Sequence, residues 1–313
     1  MPSRLPVEPG LVHLLARAVG DEAAARDALA TAPGQAATLP LTWTRAMAEH
    51  FDDADELRAW PGGAPTPVGG STGQLHAEQH FELLRPVPMG TTLSVRTEAG
   101  RTWHREGRSG ALEFAELVTD FVDDHGEVLV RSRKVGVRRG PPAAGPPAAS
   151  PAPPRHEPAT PPPTEQREHP ALRPGARDLW GWGVGDAHTA CLTPVLTRAD
   201  VARYAGVTGD VNLVHVDDTV ALRAGHPRVL AHGMLTMGLT ASHLTALVGH
   251  HRVRRFGGRF AAPVLVDDRL DCTVGLARLD DEVSPWVDLT VETRRGDGTA
   301  VFLGAAQVDR PGP

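Results

Sequence analysis

The chain has 313 residues, of which 41% are apolar and 22% charged, and its length predicts two domains. The net charge of −6 excludes a nucleic-acid binder that works through bulk positive charge. Among the 32 basic residues only Lys134 is a lysine, which we interpret as codon usage and not as function.

The cysteines and apolar segments bear on the compartment. Cys191 and Cys272 lie far apart and form no CxxC pair, which favours a reducing environment. The first ten residues lack the pattern of a signal peptide. The longest uncharged apolar stretch, 233–249, is shorter than the roughly 20 residues that cross a bilayer. We therefore predict a soluble cytoplasmic protein that binds neither nucleic acid nor membrane.

The first part of the chain contains helix-prone pieces near 11–30 and 44–59, followed by strand-like runs. The runs at 111–122 and 128–137 flank a turn and predict a hairpin. His76 and His80 have a spacing that binds metal on a helix. On a strand, residues four apart do not converge on one ion, so no metal site is predicted.

A proline-rich segment separates two halves at residues 140–174. Thirteen of its 35 residues are proline, which lacks an N–H donor and has a fixed φ. The segment is predicted to be an extended linker. The domains are then 1–139 and 175–313.

The second half opens with three predicted helices. Thr197 and Asp200 form a variant of the capping box at the start of the first helix. The second covers about 217–224, with Gly225 just after its end. The third, at 234–248, carries no charge, so it must be buried, most simply by a sheet that wraps around it.

The strands of the second half repeat those of the first. A Pro-to-Leu spacing of seven opens both strand-rich regions, from Pro86 and from Pro263. Apolar and polar residues alternate from Trp286 to Thr293, as in a half-buried strand, and a Gly-Asp-Gly turn precedes another strand at 299–308. We infer a duplicated α+β unit dominated by long antiparallel strands.

The loop between the first two helices of the second half carries groups for proton transfer. Asp210 and His215 are five residues apart, and a carboxylate and an imidazole held on one turn share a water or a substrate hydroxyl. Asn212 lies between them and is placed to orient either. Turn formation and helix capping are the structural alternative, because Asp and Asn favour loops.

This loop resembles the hydratase-2 motif of the MaoC-like family of hot-dog-fold enoyl-thioester hydratases and 3-hydroxyacyl-thioester dehydratases. The matching residues are Tyr204, Val207, Thr208, Gly209, Asp210, Asn212, Val214, His215 and Ala221. Leu213 departs from the pattern, where the family has proline. Further matches are Ala231-His232-Gly233-Met234, Arg259-Phe260 and Ala262-Pro263-Val264.

The first half is similar to the N-terminal half of two-hot-dog dehydratases, though it lacks the Asp-x-Asn-x-x-His loop. The matches are Leu39-Pro40-Leu41-Thr42-Trp43, Leu75-His76, Arg85-Pro86 and Gly90. The resemblance implies a double hot-dog, with two antiparallel sheets that each wrap a central helix. The first domain is then degenerate, the second is catalytic, and the pair has one active site.

The resemblance implies reversible syn loss of water from an (R)-3-hydroxyacyl thioester, catalysed by Asp210 and His215. An acid or base is needed near C2 and near the C3 oxygen, and the choice between the two residues for the C2 proton stays open. We expect the backbone N–H of Gly233 to stabilise the thioester enolate. Asn212 and His232 are the other expected substrate-binding residues of the loop and helix start. The reaction needs no metal or redox cofactor.

The predicted partner is acyl-CoA or an acyl carrier protein. Arg254 and Arg255 belong to a basic cluster that suits the phosphates of the thioester arm, although a solvated charge run is an equal alternative. The competing functions are a non-catalytic acyl-thioester-binding or scaffolding subunit of the same fold, and a thioesterase. The sequence fixes neither the acyl length nor a fatty-acid, polyketide or degradative pathway, and it allows a monomeric double hot-dog or a homodimer.

Overall fold

The computed structural model describes residues 3–51, 75–107, 110–139, 181–278 and 285–310. The predicted linker at 140–174 and the end of the helix-prone stretch at 44–59 lie outside these ranges. The domain boundaries at 139 and 175 therefore stay predictions.

The described strands lie where alternation and turn signals predict them. The hairpin turns at 123–127 and 296–299 each join two of the longer strands. The strands are β1 (Ser3–Pro6), β2 (Leu75–Leu83), β3 (Thr92–Gly107), β4 (Gly110–Val122), β5 (Val128–Arg139), β6 (Ala187–Thr193), β7 (Val253–Phe260), β8 (Leu270–Arg278), β9 (Trp286–Arg295) and β10 (Ala300–Asp309).

These ten strands form one antiparallel sheet in the order β1-β3-β4-β5-β2-β7-β10-β9-β8-β6. The strands of the first half occupy one side and those of the second half the other, and β2 pairs with β7 at the centre. Counted outward from the centre, the first half runs β2, β5, β4, β3, β1 and the second half β7, β10, β9, β8, β6. Equivalent strands of the two halves therefore occupy equivalent positions. The two sheets thus join edge to edge, as the double hot-dog prediction requires.

A local two-fold axis relates the two halves. The pairing of β2 with β7 is centred on His80 and Gly257. The number of residues between Pro88 and Leu265 equals the number between His80 and Gly257. Each of them forms an isolated bridge to an earlier segment of its own half. These correspondences confirm the duplicated unit.

The first half has three short helices: α1 (Pro9–Ala18), α2 (Glu22–Ala30) and α3 (Trp43–Phe51). The helix-prone stretch divides into α1 and α2 because Gly20 adopts a left-handed φ of +69°. Asp21 then caps α2, accepting a hydrogen bond from the Ala24 N–H at 3.1 Å.

The second half has the helices α4 (Arg198–Thr208), α5 (Asp218–Arg223) and α6 (Gly233–Val248). The capping box of Thr197 and Asp200 is present at the start of α4. Gly225, predicted to follow the second helix, has a left-handed φ of +88°. All three helices therefore form where their sequence signals predict them.

The uncharged α6 packs against β6 to β10. Leu235, Met237 and Leu244 are fully buried on it, within the main apolar core. The second-half sheet thus wraps around this helix, which is the arrangement that gives the hot-dog fold its shape. Within the described residues, no helix is long and apolar enough to cross a membrane.

The first half covers the far side of α6. The Ser242 hydroxyl donates to the Val19 carbonyl oxygen at 2.8 Å, and His250 pairs with the buried Asp21 at 2.7 Å. A Cβ on Gly238 would lie 2.5 Å from the Val19 side chain, so this close approach requires glycine. Residues of the first half therefore lie beside the middle of α6 and just past its end.

Candidate functional site

The predicted loop begins where α4 ends. The Thr208 hydroxyl donates to the Tyr204 carbonyl oxygen at 2.8 Å and closes the last turn. Gly209 then adopts a left-handed φ of +75°, which an L side chain would disfavour. This turn directs the chain away from α4 and places Asp210 at the end of the helix.

Asp210, His215 and His232 meet at the centre of the candidate site. One carboxylate or imidazole atom of each residue lies within 4.8 Å of the others. The rings of His215 and His232 stack with their centroids 3.8 Å apart. The structure thus brings the two predicted catalytic residues together and places the ring of His232 against that of His215.

The hydrogen bond of His215 determines its tautomer. Its Nδ1 lies 2.7 Å from the carbonyl oxygen of Leu230, which only accepts, so Nδ1 carries the proton. In the neutral ring, Nε2 then has a free lone pair. Burial lowers the pKa of His215 from 6.5, while the nearby Asp210 carboxylate partly opposes this shift. His215 is therefore neutral at neutral pH and ready to accept a proton.

His232 contacts the loop through the backbone of Asp210. Its side chain is 2% exposed, and its Nε2 donates to the backbone carbonyl oxygen of Asp210 at 2.9 Å. The Tyr204 ring lies 5.0 Å away on its other side. These contacts make His232 a positioning residue for Asp210, a role that the sequence pattern did not indicate. The contact of His232 with substrate stays a prediction.

Asn212 shapes the turn between the catalytic residues. Its side-chain oxygen accepts a hydrogen bond from the Val214 N–H at 3.3 Å and caps the short 3-10 turn Leu213–His215. Turn formation and capping, the structural alternative for Asn212, are thus observed. The role of Asn212 in substrate binding stays a prediction. The turn forms with Leu213 in place of the family's proline.

Gly233 is the first residue of α6, where helical N–H groups have no partner within the helix. A Cβ added here would lie 3.2 Å from the ring of Phe260, so the ring would have to shift by a few tenths of an ångström to admit a larger residue. Phe260 ends the strand β7, next to the centre of the sheet. The predicted enolate donor is therefore fixed between a helix start and an aromatic ring.

A cavity opens beside Asp210. Residues from both halves line it: Arg45, Ala46, Tyr204, Thr208, Asp210 and Met234. The first two lie on α3. No local pattern pointed to Arg45, because its position depends on packing between helices that are distant along the chain.

Arg254 and Arg255 lie away from this cluster. Arg254 forms an ion pair with Asp309, and Arg255 lies 3.6 Å from Glu82. At about 3.3 Å per residue, the start of β7 is about 20 Å from Phe260 at its end. The structure therefore does not bring the two arginines to the catalytic pair, and their contact with phosphates stays a prediction.

The three clustered residues are also of the types that bind metal ions. Each imidazole lone pair lies in its ring plane, so stacked rings direct their lone pairs side by side and not toward a common ion. The arrangement therefore suits proton transfer better than coordination.

Comparisons with known proteins identify relatives of this chain. The model of the family described as "MaoC like domain" matches residues 185–285. A 3-hydroxyacyl-thioester dehydratase X of Mycobacterium tuberculosis is 28% identical over 204 residues, 65% of this chain and 59% of the relative. A 3-hydroxybutyryl-CoA dehydratase of Methylorubrum extorquens is 33% identical over 96 residues, 30% of this chain and 61% of the relative.

An (R)-specific enoyl-CoA hydratase of Rhodospirillum rubrum is 29% identical over 101 residues, 32% of this chain and 70% of the relative. The chain thus spans less than two thirds of the length of the first two relatives.

Solved structures share the fold of almost the whole chain. A MaoC-like dehydratase gives a TM-score of 0.69 at 22% identity, covering 99% of this chain and 97% of the other. A Mycobacterium tuberculosis protein described as having a double hotdog fold gives 0.53 at 16% identity, covering 98% and 93%. These likenesses confirm the predicted fold.

Proposed function

Since residues 185–285 form a MaoC-like domain and the chain has the double hot-dog fold, we propose that the protein is an (R)-3-hydroxyacyl-thioester dehydratase. In the reverse direction it is an enoyl-thioester hydratase. The observation that carries this proposal is that the Asp210 carboxylate and the His215 imidazole lie within 4.8 Å of each other, with Asp210 at the edge of a cavity. The activities named for the three relatives support the same reaction class.

Dehydration breaks the C2–H and C3–O bonds of a 3-hydroxyacyl thioester. The Nε2 lone pair of His215 and the carboxylate of Asp210 are the two acceptors available for the C2 proton. The proton is returned to the departing C3 hydroxyl, which leaves as water, so the pair ends in its original protonation state. Hydration follows the same path in reverse.

Removal of the C2 proton places negative charge on the thioester oxygen. The N–H of Gly233 is our candidate donor to that oxygen, because the start of α6 adds the positive end of a helix dipole. A glycine at this position also lets the substrate carbonyl approach the backbone closely. Phe260 packs against Gly233, which limits the movement of this donor.

The cavity beside Asp210, which both halves line, is small, and we assign it to the reacting end of the acyl group. The substrate carrier is coenzyme A or an acyl carrier protein, and the assembly is a monomeric double hot-dog or a homodimer. Cys191 and Cys272 are both free thiols, which supports a reducing, cytoplasmic setting.

The experiment is the hydration of crotonyl-CoA and of longer enoyl-CoA thioesters, followed by the loss of enoyl absorbance. Asp210→Asn and His215→Ala should each lower kcat by at least about 100-fold, the scale of general acid–base contributions. The matched controls are Asp124→Asn and His125→Ala in the exposed β4–β5 turn, which should keep the wild-type rate.

Three results would contradict the proposal. Binding of enoyl thioesters without turnover by the wild type would identify a non-catalytic subunit. Release of free coenzyme A would identify a thioesterase. A near-wild-type rate in either site variant would remove that residue from the mechanism.

A further inference from the structure

Helices of both halves line the small cavity beside Asp210. Arg45 and Ala46 line it from α3, and Met234 lines it from α6. Met234 directly follows Gly233, whose N–H is the candidate donor to the thioester oxygen. With the thioester carbonyl at Gly233 and C3 beside Asp210, the carbons beyond C3 enter this cavity. The residues that lie past the cavity therefore decide how long the acyl chain can be.

Thr42 and Gly238 lie one helical turn past the cavity-lining residues. The Ala46 N–H donates to the Thr42 carbonyl oxygen at 2.9 Å, so Thr42 lies one turn before Ala46 and next to the same face of α3. Gly238 follows Met234 by four residues and shares its face of α6. The Thr42 hydroxyl oxygen would lie 3.5 Å from a Cβ on Gly238. The two helices therefore meet at these positions.

Val19, just after the end of α1, fills the space at this meeting point. A Cβ on Gly238 would lie 2.5 Å from Cγ1 and 3.0 Å from Cβ of Val19. Val19 and Thr42 are both fully buried. The Val19 carbonyl oxygen accepts a hydrogen bond from the Ser242 hydroxyl at 2.8 Å, which fastens this segment to α6. We call Val19, Thr42 and Gly238 the end wall.

The end wall lies close to the reacting carbons. Gly233 and Gly238 are separated along α6 by a rise of about 7.5 Å. An extended crotonyl group is shorter than this rise, whereas an extended octenoyl group is longer. A long chain that follows α6 would have to displace the buried side chains of Val19 and Thr42, which costs free energy as overpacking does.

We propose that the end wall restricts the substrate to short-chain acyl thioesters, of about the length of crotonyl-CoA. The proposal rests on the function proposed above and adds the class of substrate. The absence of a side chain at Gly238 is what lets Val19 come this close to α6. The Thr42 hydroxyl has no hydrogen-bond partner among the described residues, so Thr42 contributes to the wall through its shape.

Hydration of crotonyl-CoA and of 2-octenoyl-CoA, compared as a ratio of kcat/KM, measures the length limit. The wild type should favour crotonyl-CoA by at least about 10-fold, because a single methylene in a pocket is already discriminated on this scale. Val19→Ala and Thr42→Ala each remove part of the wall and should lower the ratio. The double variant should lower it at least about 10-fold. Partial loss of folded protein affects both substrates equally and leaves the ratio unchanged.

Two controls match these substitutions. Thr42→Val keeps the shape of the side chain and removes only the hydroxyl, so it should keep the wild-type ratio. Val308→Ala removes the same atoms as Val19→Ala from another fully buried position, on the inner face of the sheet, which faces α6. Val308 pairs with Val253, which closely follows the end of α6, so this variant should also keep the ratio.

Three results would overturn the proposal. The first is a wild type that hydrates 2-octenoyl-CoA as well as crotonyl-CoA. The second is a double variant with the wild-type ratio, which would mean that the acyl chain does not point at the end wall. The third is a ratio lowered as much by Val308→Ala as by Val19→Ala, which would mean that any loss of packing relaxes the selectivity.

Binding of the unreactive butyryl-CoA and octanoyl-CoA, measured by calorimetry, tests the end wall without the chemistry. An open apolar pocket would bind octanoyl-CoA more tightly, since each added methylene buries more apolar surface. Tighter binding of butyryl-CoA by the wild type, lost in the double variant, supports the length limit even if no thioester is hydrated. In that case only the proposed dehydratase function fails. Equal or tighter binding of octanoyl-CoA by the wild type overturns the length limit, and binding of neither thioester overturns both proposals.

Discussion

The contact between Gly233 and Phe260 gives a sharp prediction about the start of α6. A Cβ at position 233 would lie 3.2, 3.3 and 3.4 Å from three atoms of the Phe260 ring, closer than ordinary van der Waals contact. The ring also meets His76 and Phe302, so it has little freedom to move away. Gly233→Ala should therefore lower the free energy of unfolding by about 1–3 kcal/mol, as overpacking does.

The control for this substitution is Gly206→Ala in α4, where a Cβ would meet nothing within 4 Å. Alanine there should raise the free energy of unfolding by about 0.5–1 kcal/mol, because glycine is a poor helix former. The opposite signs of two identical substitutions separate crowding from helix propensity.

The assay is urea unfolding of both variants and of Gly233→Ala in a Phe260→Leu background. The smaller side chain at 260 should make Gly233→Ala cost at least about 1 kcal/mol less, a coupling within the range for residues in contact. We also expect Gly233→Ala to reduce kcat about 10-fold or more, since it shifts the proposed enolate donor. A Gly233→Ala protein as stable and as active as the wild type would refute the reasoning.

Two further predictions concern pH. Because the pKa of His215 lies below 6.5, kcat/KM for hydration should stay high down to pH 6.5 and fall only as the ring becomes protonated. In Asp210→Asn, which removes the opposing carboxylate, NMR titration should show a still lower pKa of His215. An unchanged or raised pKa of His215 in this variant would contradict the prediction. His243 on α6, half-buried and 3.3 Å from His188, has its pKa lowered from 6.5 to about 4, so the unfolded chain takes up its proton first and stability falls as pH drops below 6.5. Between pH 7 and 5, the unfolding free energy of the wild type should fall by about 2 kcal/mol more than that of His243→Leu, measured by urea unfolding. Equal losses in the two proteins would be inconsistent with a neutral His243 imidazole in the folded state.

Local signals along the chain predicted much of the second half. The capping box at Thr197, the glycine after α5 and the uncharged run of α6 each depend on neighbours a few residues away. The Asp210–His215 loop was predicted for the same reason, because its residues belong to one turn. The double hot-dog expectation did not identify the strands that join the two halves, which are β2 and β7.

Features that depend on register and packing between distant segments were not predicted. Lys134 was interpreted only as codon usage, since nothing local shows that it pairs with Gln79 on the inner face of the sheet. Arg45 reaches the cavity through the packing of α3 near α4. The role of His232 as a support for the Asp210 backbone also required the three-dimensional contact.

The central claim is that Asp210 and His215 add water across an enoyl thioester. Its most direct test is the incubation of crotonyl-CoA with the wild type in D₂O, followed by stereochemical analysis and mass spectrometry of the product. The expected product is (R)-3-hydroxybutyryl-CoA with one deuterium at C2, formed at least about 100-fold more slowly by Asp210→Asn or His215→Ala. Free coenzyme A as the product, or unchanged crotonyl-CoA, would contradict it.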